Sequence, residues 1–276
     1  MEFAFLGNAI IFQSHVTTFV PQKDWRNVSD RIKESINLAA SPIGIALIPS
    51  AKGLLDHTNV RLLTRTAPCH MAALARYYRQ EGVVGASSEG IKCILGLSCL
   101  GLAKTPTRVK EGGLNQRFTS GSEAARNLNR SIRMLGDSGK RYDAVIMSPL
   151  DLIPLSPQAI ALYVTPAQAL RLVLALAYKE GEAIPTSITG QGSLCAAVAK
   201  VVDEGSIVLD IPCVGDRAYG FVQEHEMIVA FPAEKSDELI DGLRSTEDAA
   251  QHPFKPFLNW PVILWPEFEP RSSDLD

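Results

Sequence analysis

Five cysteines are the residues of this 276-residue chain best suited to chemistry: Cys69, Cys93, Cys99, Cys195 and Cys213. An odd number in a chain well above 100 residues argues against a disulfide framework and places the protein in a reducing compartment, the cytoplasm. Free thiols pack as small apolar groups, attack as nucleophiles once ionised, or ligate thiophilic metals. Neighbouring residues help to separate these uses. Cys69 follows Pro68, and proline favours the first helical position. Cys99 follows Ser98, a residue type that caps helix N-termini. Cys195 follows Gly192-Ser193 at a strand-to-helix turn. Cys213 lies in the loop Pro212–Asp216, directly after a strand. Helix N-termini offer free N–H groups and a positive dipole end, which suit a thiolate and equally an anionic thiolate-bound cluster. Three cysteines at helix starts and one in a strand-end loop describe a site at one edge of a sheet. Cys93, inside the apolar stretch Ile91–Leu95, reads as packing.

No C-x-x-C pair occurs, so neither a zinc ribbon nor a ferredoxin-type run is present. Any shared site must be gathered by the fold from distant segments. The readings left open are a 4Fe–4S or other thiolate–metal centre on Cys69, Cys99, Cys195 and Cys213, a cluster-free thiolate nucleophile at Cys195, and a small-molecule-binding module with the cysteines as core.

Other polar residues extend the candidate site. His70 adjoins Cys69, but neighbours on a helix point about 100° apart, so a Cys/His pair needs help from the fold. Arg217, next to Asp216, could orient a substrate carboxylate or hold its loop by an ion pair. Catalytic roles therefore fall to Cys195, Arg217 and His70. His225 is either a base or part of a solvated charge run. Gln168 and Arg171 sit one turn apart on an otherwise apolar helix, so each is either satisfied structurally or lines a pocket. Gly190-Gln191-Gly192 lacks the third glycine and the lysine of phosphate loops, and reads as a tight strand-to-helix turn.

The elements that must position these groups are legible as alternating runs. Residues 24–39 read as a helix, Ile43–Ile48 as a buried strand, and the segment from Pro68 as a helix stopped by Gly82. A short strand follows at 83–86. Residues 98–103 read as about one helical turn, and 104–119 as a long loop. A helix opens at Ser120 or Ser122. Strands are expected at 143–148, 159–164, 184–189, 207–211 and 227–231. Thr165-Pro166-Ala167-Gln168 is a capping box with proline at the first helical position, opening a helix to about Lys179. Further helices are expected at 194–203 and 237–243. The fold class is α+β or mixed α/β: a layered sheet with flanking helices, and βα units in the C-terminal half.

Residues 1–22 read as a loosely attached segment and 23–247 as one globular α/β domain, with subdivision near 104–119 or 140 left open. Residues 248–276 form a tail rich in proline and aromatics that packs on the body or on a partner copy. A net charge of −3 and the lack of a basic stripe exclude a nucleic-acid partner. No run reaches the roughly 18 apolar residues of a membrane span, and no basic start marks a signal peptide. The partners expected are a small-molecule substrate and, through the tail, a second copy of the chain.

Several segments together carry a resemblance. They are Pro42–Ile48, Ala67-Pro68-Cys69-His70-Met71-Ala72-Ala73-Leu74-Ala75, Ser98-Cys99-Leu100-Gly101-Leu102-Ala103 and Tyr163-Val164-Thr165-Pro166-Ala167-Gln168-Ala169-Leu170-Arg171-Leu172. To these add Gly192-Ser193-Leu194-Cys195, Ile211-Pro212-Cys213-Val214-Gly215-Asp216-Arg217, Glu226–Pro232 and Pro256–Trp260. Over about residues 31–265 the sequence resembles the prokaryotic family catalogued as domain of unknown function 169. The resemblance implies family cysteines at Cys69, Cys99, Cys195 and Cys213 and not at Cys93. Leu100 departs from the Cys-Pro-Gly that family members often carry after the second cysteine. The resemblance implies no reaction. The function expected from the residues is an iron–sulfur protein, 4Fe–4S, acting on a small molecule as a redox or Lewis-acid enzyme of lyase or dehydratase type.

Overall fold

Three six-residue runs are buried on both faces, which is why they read as unbroken apolar stretches rather than as alternation. The computed structural model describes residues 23–250 apart from 51, 53–58, 80 and 140. The segment 1–22 and the tail from 251 lie outside the described residues. The strands are β1 (Ile43–Ile48), β2 (Arg61–Leu62), β3 (Val84–Ser87), β4 (Ala144–Pro149), β5 (Ala159–Val164), β6 (Val208–Asp210) and β7 (Met227–Pro232). They form one sheet in the order β2-β3-β4-β1-β5-β7-β6. Only β2 and β3 pair in parallel; the other neighbours pair antiparallel.

The helices are α1 (Trp25–Ile36), α2 (Pro68–Tyr77), α3 (Ile94–Cys99), α4 (Thr107–Lys110), α5 (Ser122–Arg130), α6 (Pro166–Ala177), α7 (Ser193–Glu204), α8 (Val214–Tyr219) and α9 (Ser236–Ser245). They cover both faces. On one face Ile43, Ile45, Tyr163 and Ile228 of the sheet share a core with Met71 and Ala72 of α2 and Leu194 and Val198 of α7. On the other, Ile160, Leu162, Val229 and Phe231 meet Ile32 and Ile36 of α1, Leu172 of α6 and Leu239 of α9. Successive residues of β5 and β7 thus alternate between two cores, as the pleat requires. The expected mixed α/β architecture with a layered sheet and flanking helices is what the chain adopts.

The C-terminal half contains its βα units in an interrupted form. Strands β5 and β6 both run antiparallel to β7, so they run parallel to each other, with β7 inserted between them. Helix α6 crosses on one face and α7 on the other.

Two buried polar residues of α6 are structural. Thr165 and Gln168 complete the expected capping box, and Gln168 Nε2 also donates to the carbonyls of Ile36 and Asn37 at the end of α1, both at 3.1 Å. Arg171, 1% exposed, donates to the carbonyls of Leu243, Thr246, Glu247 and Ala250 around the end of α9.

Four expectations need correction. Residues 184–189 form no strand: the segment is largely exposed, and Pro185 lacks a ladder donor. Helix α2 stops at Tyr77, five residues before Gly82. Gly82 serves another need, because a Cβ there would stand 1.9 Å from the Tyr78 carbonyl oxygen. The stretch 104–119 contains the short helix α4. Residues 214–216, read as part of a loop, open α8.

Candidate functional site

The cysteines come from four places on one face of the sheet. Cys69 occupies the second position of α2, and its sulfur accepts the His70 backbone N–H. Cys195 occupies the third position of α7. Both agree with the helix-start reading. Cys99 does not: it is the last residue of α3, fully buried. Cys93 takes the role expected of Ser98. It caps α3, its sulfur accepting the Gly96 N–H at 3.4 Å. The hydroxyl of Ser98 instead donates to the carbonyl of Ile94, one turn back.

Cys213 caps α8. Its sulfur accepts backbone N–H groups from Asp216 and from Ser193, the first residue of α7. Glycine lets these elements close. A Cβ at Gly215 would lie 3.6 Å from the Cys213 sulfur and 3.8 Å from that of Cys69, so both sulfurs face one small patch of backbone. A Cβ at Gly192, which has φ +60°, would meet Leu95 at 2.9 Å and the Cys99 sulfur at 3.9 Å.

Each of the five sulfurs lies within electrostatic reach of at least two others. Charge on Cys69 is opposed by Cys93 and Cys213, on Cys99 by Cys93 and Cys213, and on Cys195 by Cys99, Cys93 and Cys69. Cys93 packs against the core as expected, and it also lies within reach of Cys69, Cys99 and Cys195. Burial is the larger effect and acts in the same direction. It pushes the Cys69 thiol up to about 12 and the Cys213 thiol up to about 11. It pushes Cys99 and Cys195 up as well. At neutral pH these side chains are uncharged thiols. Among the described residues, no group of three or more His, Cys, Asp or Glu side chains is disposed to hold a metal ion.

Asp216 is the carboxylate of the site and is 1% exposed. Its oxygens accept the backbone N–H of Cys213 at 3.2 Å, the Tyr163 hydroxyl at 3.0 Å and the backbone N–H of Leu194. One carboxylate thus ties the start of α8, the start of α7 and the end of β5 together beside Cys69 and Cys213. Burial raises its pKa, and these hydrogen bonds pull it back. The Tyr163 ring lies 4.3 Å from the Arg76 guanidinium, and Arg76 pairs with Glu226.

The two other expected catalytic residues each have a hydrogen-bond partner within the chain. His70 Nδ1 is 3.1 Å from Thr66 Oγ1. Arg217 donates to the Gln223 carbonyl at 3.0 Å, bracing the turn before β7. Sequence reasoning missed Tyr163, Arg76 and the capping role of Asp216. The spacing Cys213-x-x-Asp216 was a usable capping signal; Arg76 carried none.

With the geometry in view, comparison with known proteins places the chain. A model of the DUF169 family, described as Uncharacterised ArCR, matches residues 31–242, and the chain belongs to this family. It is similar to the uncharacterized protein MJ0308 of Methanocaldococcus jannaschii, with 28% identity over 179 residues, 63% of this chain and 75% of that protein. No solved structure matches. Among the described residues, no helix is long and apolar enough to cross a membrane.

Proposed function

We propose that Cys69, Cys99, Cys195 and Cys213 form a thiolate site for an iron–sulfur cluster, 4Fe–4S, in a protein acting on a small molecule. The observation supporting this reading is the gathering of thiols from α2, α3, α7 and the start of α8 into one buried region, with Asp216 at its edge. Buried thiols whose ionisation is opposed by their neighbours are poor nucleophiles, which counts against a lone activated Cys195. A metal cation reverses that balance, because it stabilises several thiolates at once and displaces their protons. Loading must draw the sulfurs closer than they stand in the chain alone. Four-fold ligation would suit electron transfer, and three-fold ligation would leave an iron open for Lewis-acid work such as dehydration.

The chain's own residues have definite tasks in this reading. Asp216 fixes Cys213 relative to α7 by bonding Cys213 N–H and Leu194 N–H together. Gly215 keeps the space between Cys69 and Cys213 free of side chain. Cys93 stands by as a fifth thiol, held at the start of α3.

The test is a visible spectrum of protein purified without oxygen, with iron and acid-labile sulfide counted on the same sample. A broad band near roughly 400 nm and about four irons per chain are expected. Cys195→Ala should bleach the band. A colourless protein without iron, zinc or sulfide overturns the proposal.

A further inference from the structure

Arg76 sits seven residues after Cys69 on α2, about 10 Å along the helix. Its side chain is 2% exposed, and the guanidinium lies 4.7 Å from the centre of the Tyr77 ring and 4.3 Å from that of Tyr163. Nη2 pairs with Glu226. Nε and Nη1 have no hydrogen-bond partner among the described residues. Buried donors are almost always satisfied, so two orphaned N–H groups on one cation call for an acceptor that the described residues do not supply. Arg76 also lines a cavity of about 450 Å³, together with Tyr77, Tyr163, Glu226 and the apolar residues Leu38 and Ala39. That volume is within the range of small-molecule sites.

The chemistry of the lining narrows the ligand. Among the described cavity residues Arg76 is the only Lys or Arg, with His225 the other basic side chain, and Glu226 already neutralises part of the Arg76 charge. A phosphate dianion would meet too little positive charge and a nearby carboxylate. The neighbouring N-terminus of α6 gives no help, because Thr165 and Gln168 cap it. A singly charged carboxylate with a short apolar body matches the single guanidinium charge and the apolar part of the wall. We propose that this cavity is a binding site for a small monocarboxylate, its anionic end held by Arg76. The site lies across Tyr163 from Asp216 and the cysteines. The proposal goes beyond the thiolate reading and does not rest on it.

The experiment is calorimetric titration of the full chain with benzoate, before and after metal removal by a chelator. Wild-type protein should bind one benzoate per chain, with the same affinity in both preparations. Ala39→Trp, at an exposed position on the cavity wall, should fold normally and weaken binding at least tenfold. Arg76→Gln, checked for folding by circular dichroism, should abolish it. Absence of saturable binding, undiminished binding to the folded Ala39→Trp variant, or equal binding of inorganic phosphate overturns the proposal. The first of these results would mean that water satisfies the two N–H groups. None of them bears on the iron count, so this site and the cluster stand or fall separately.

Discussion

The Tyr163 hydroxyl donates to Asp216 Oδ1 at 3.0 Å, across 53 residues of sequence and in the buried interior. This contact joins the end of β5 to the helix that Cys213 caps, and through the Tyr163 ring it reaches Arg76. Tyr163→Phe keeps the ring and removes the donor. Stability should fall by about 1–2 kcal/mol, the cost of leaving a buried carboxylate short of one partner. Urea unfolding of the two proteins checks this. Identical midpoints and slopes would show that the contact contributes nothing.

The buried thiols make the metal-free protein sensitive to alkali. Burial lifts Cys69 from the ordinary 9.0 to about 12 and Cys213 to about 11. A raised folded-state pKa stabilises the fold fully below the unfolded value, and that contribution is lost as pH climbs through the folded value. The urea midpoint of metal-free protein should therefore drop between pH 9 and 11. Iodoacetamide should label Cys69, Cys99 and Cys195 slowly at pH 7.5. Rapid labelling of Cys195 there would revive the nucleophile reading.

Asp210, at the end of β6, has its carboxyl lifted from 3.8 to about 6, first by burial, against the opposing pull of the Ile211 N–H and Lys200. The same sign applies. Its contribution is greatest below about pH 4 and is lost as pH rises through 6. Asp210→Asn should remove this slope, so that stability curves of mutant and parent diverge between pH 4 and 6.5. Parallel curves would place the ionisation elsewhere.

Gly192 and Gly205 flank α7, both in the left-handed region at φ +60° and +66°. Alanine at Gly205 meets nothing within 4 Å, so Gly205→Ala should cost only the backbone term, about 1–2 kcal/mol. Gly192→Ala adds a 2.9 Å approach to Leu95 beside Cys99 and should cost more. It should also lower iron content if the cluster forms. Equal destabilisation of the two variants would mean that Leu95 moves aside freely.

Much of the fold was legible because its strands are buried on both faces and its central helix opens with Thr165-Pro166-Ala167-Gln168. The sequence misled where local and tertiary signals compete. Residues 184–189 have the β-rich composition of a strand, yet they gain no neighbour in the sheet and stay largely exposed. Ser98 looked like a cap, but Cys93 took that task, which moved Cys99 to the opposite end of α3. Helix α8 was hidden because its cap is a cysteine and its second residue is Gly215. Cys69, Cys195 and Cys213 could be singled out from their neighbours in sequence. The partnership of Asp216 with Tyr163 and Leu194 could not, since only the packed sheet brings β5, α7 and α8 together.

The insertion of β7 between β5 and β6 also sets a timetable. Among the described strands, β6, with Cys195 on the helix before it and Cys213 just after it, pairs with β7 alone, and β7 is the last of them to be synthesised. A nascent chain halted before Met227 would hold all five cysteines with no described strand yet made to dock that edge. The thiol region is thus finished only after every other described strand has been made. A metal centre of this kind would be fitted into a completed protein rather than used as a seed for its folding.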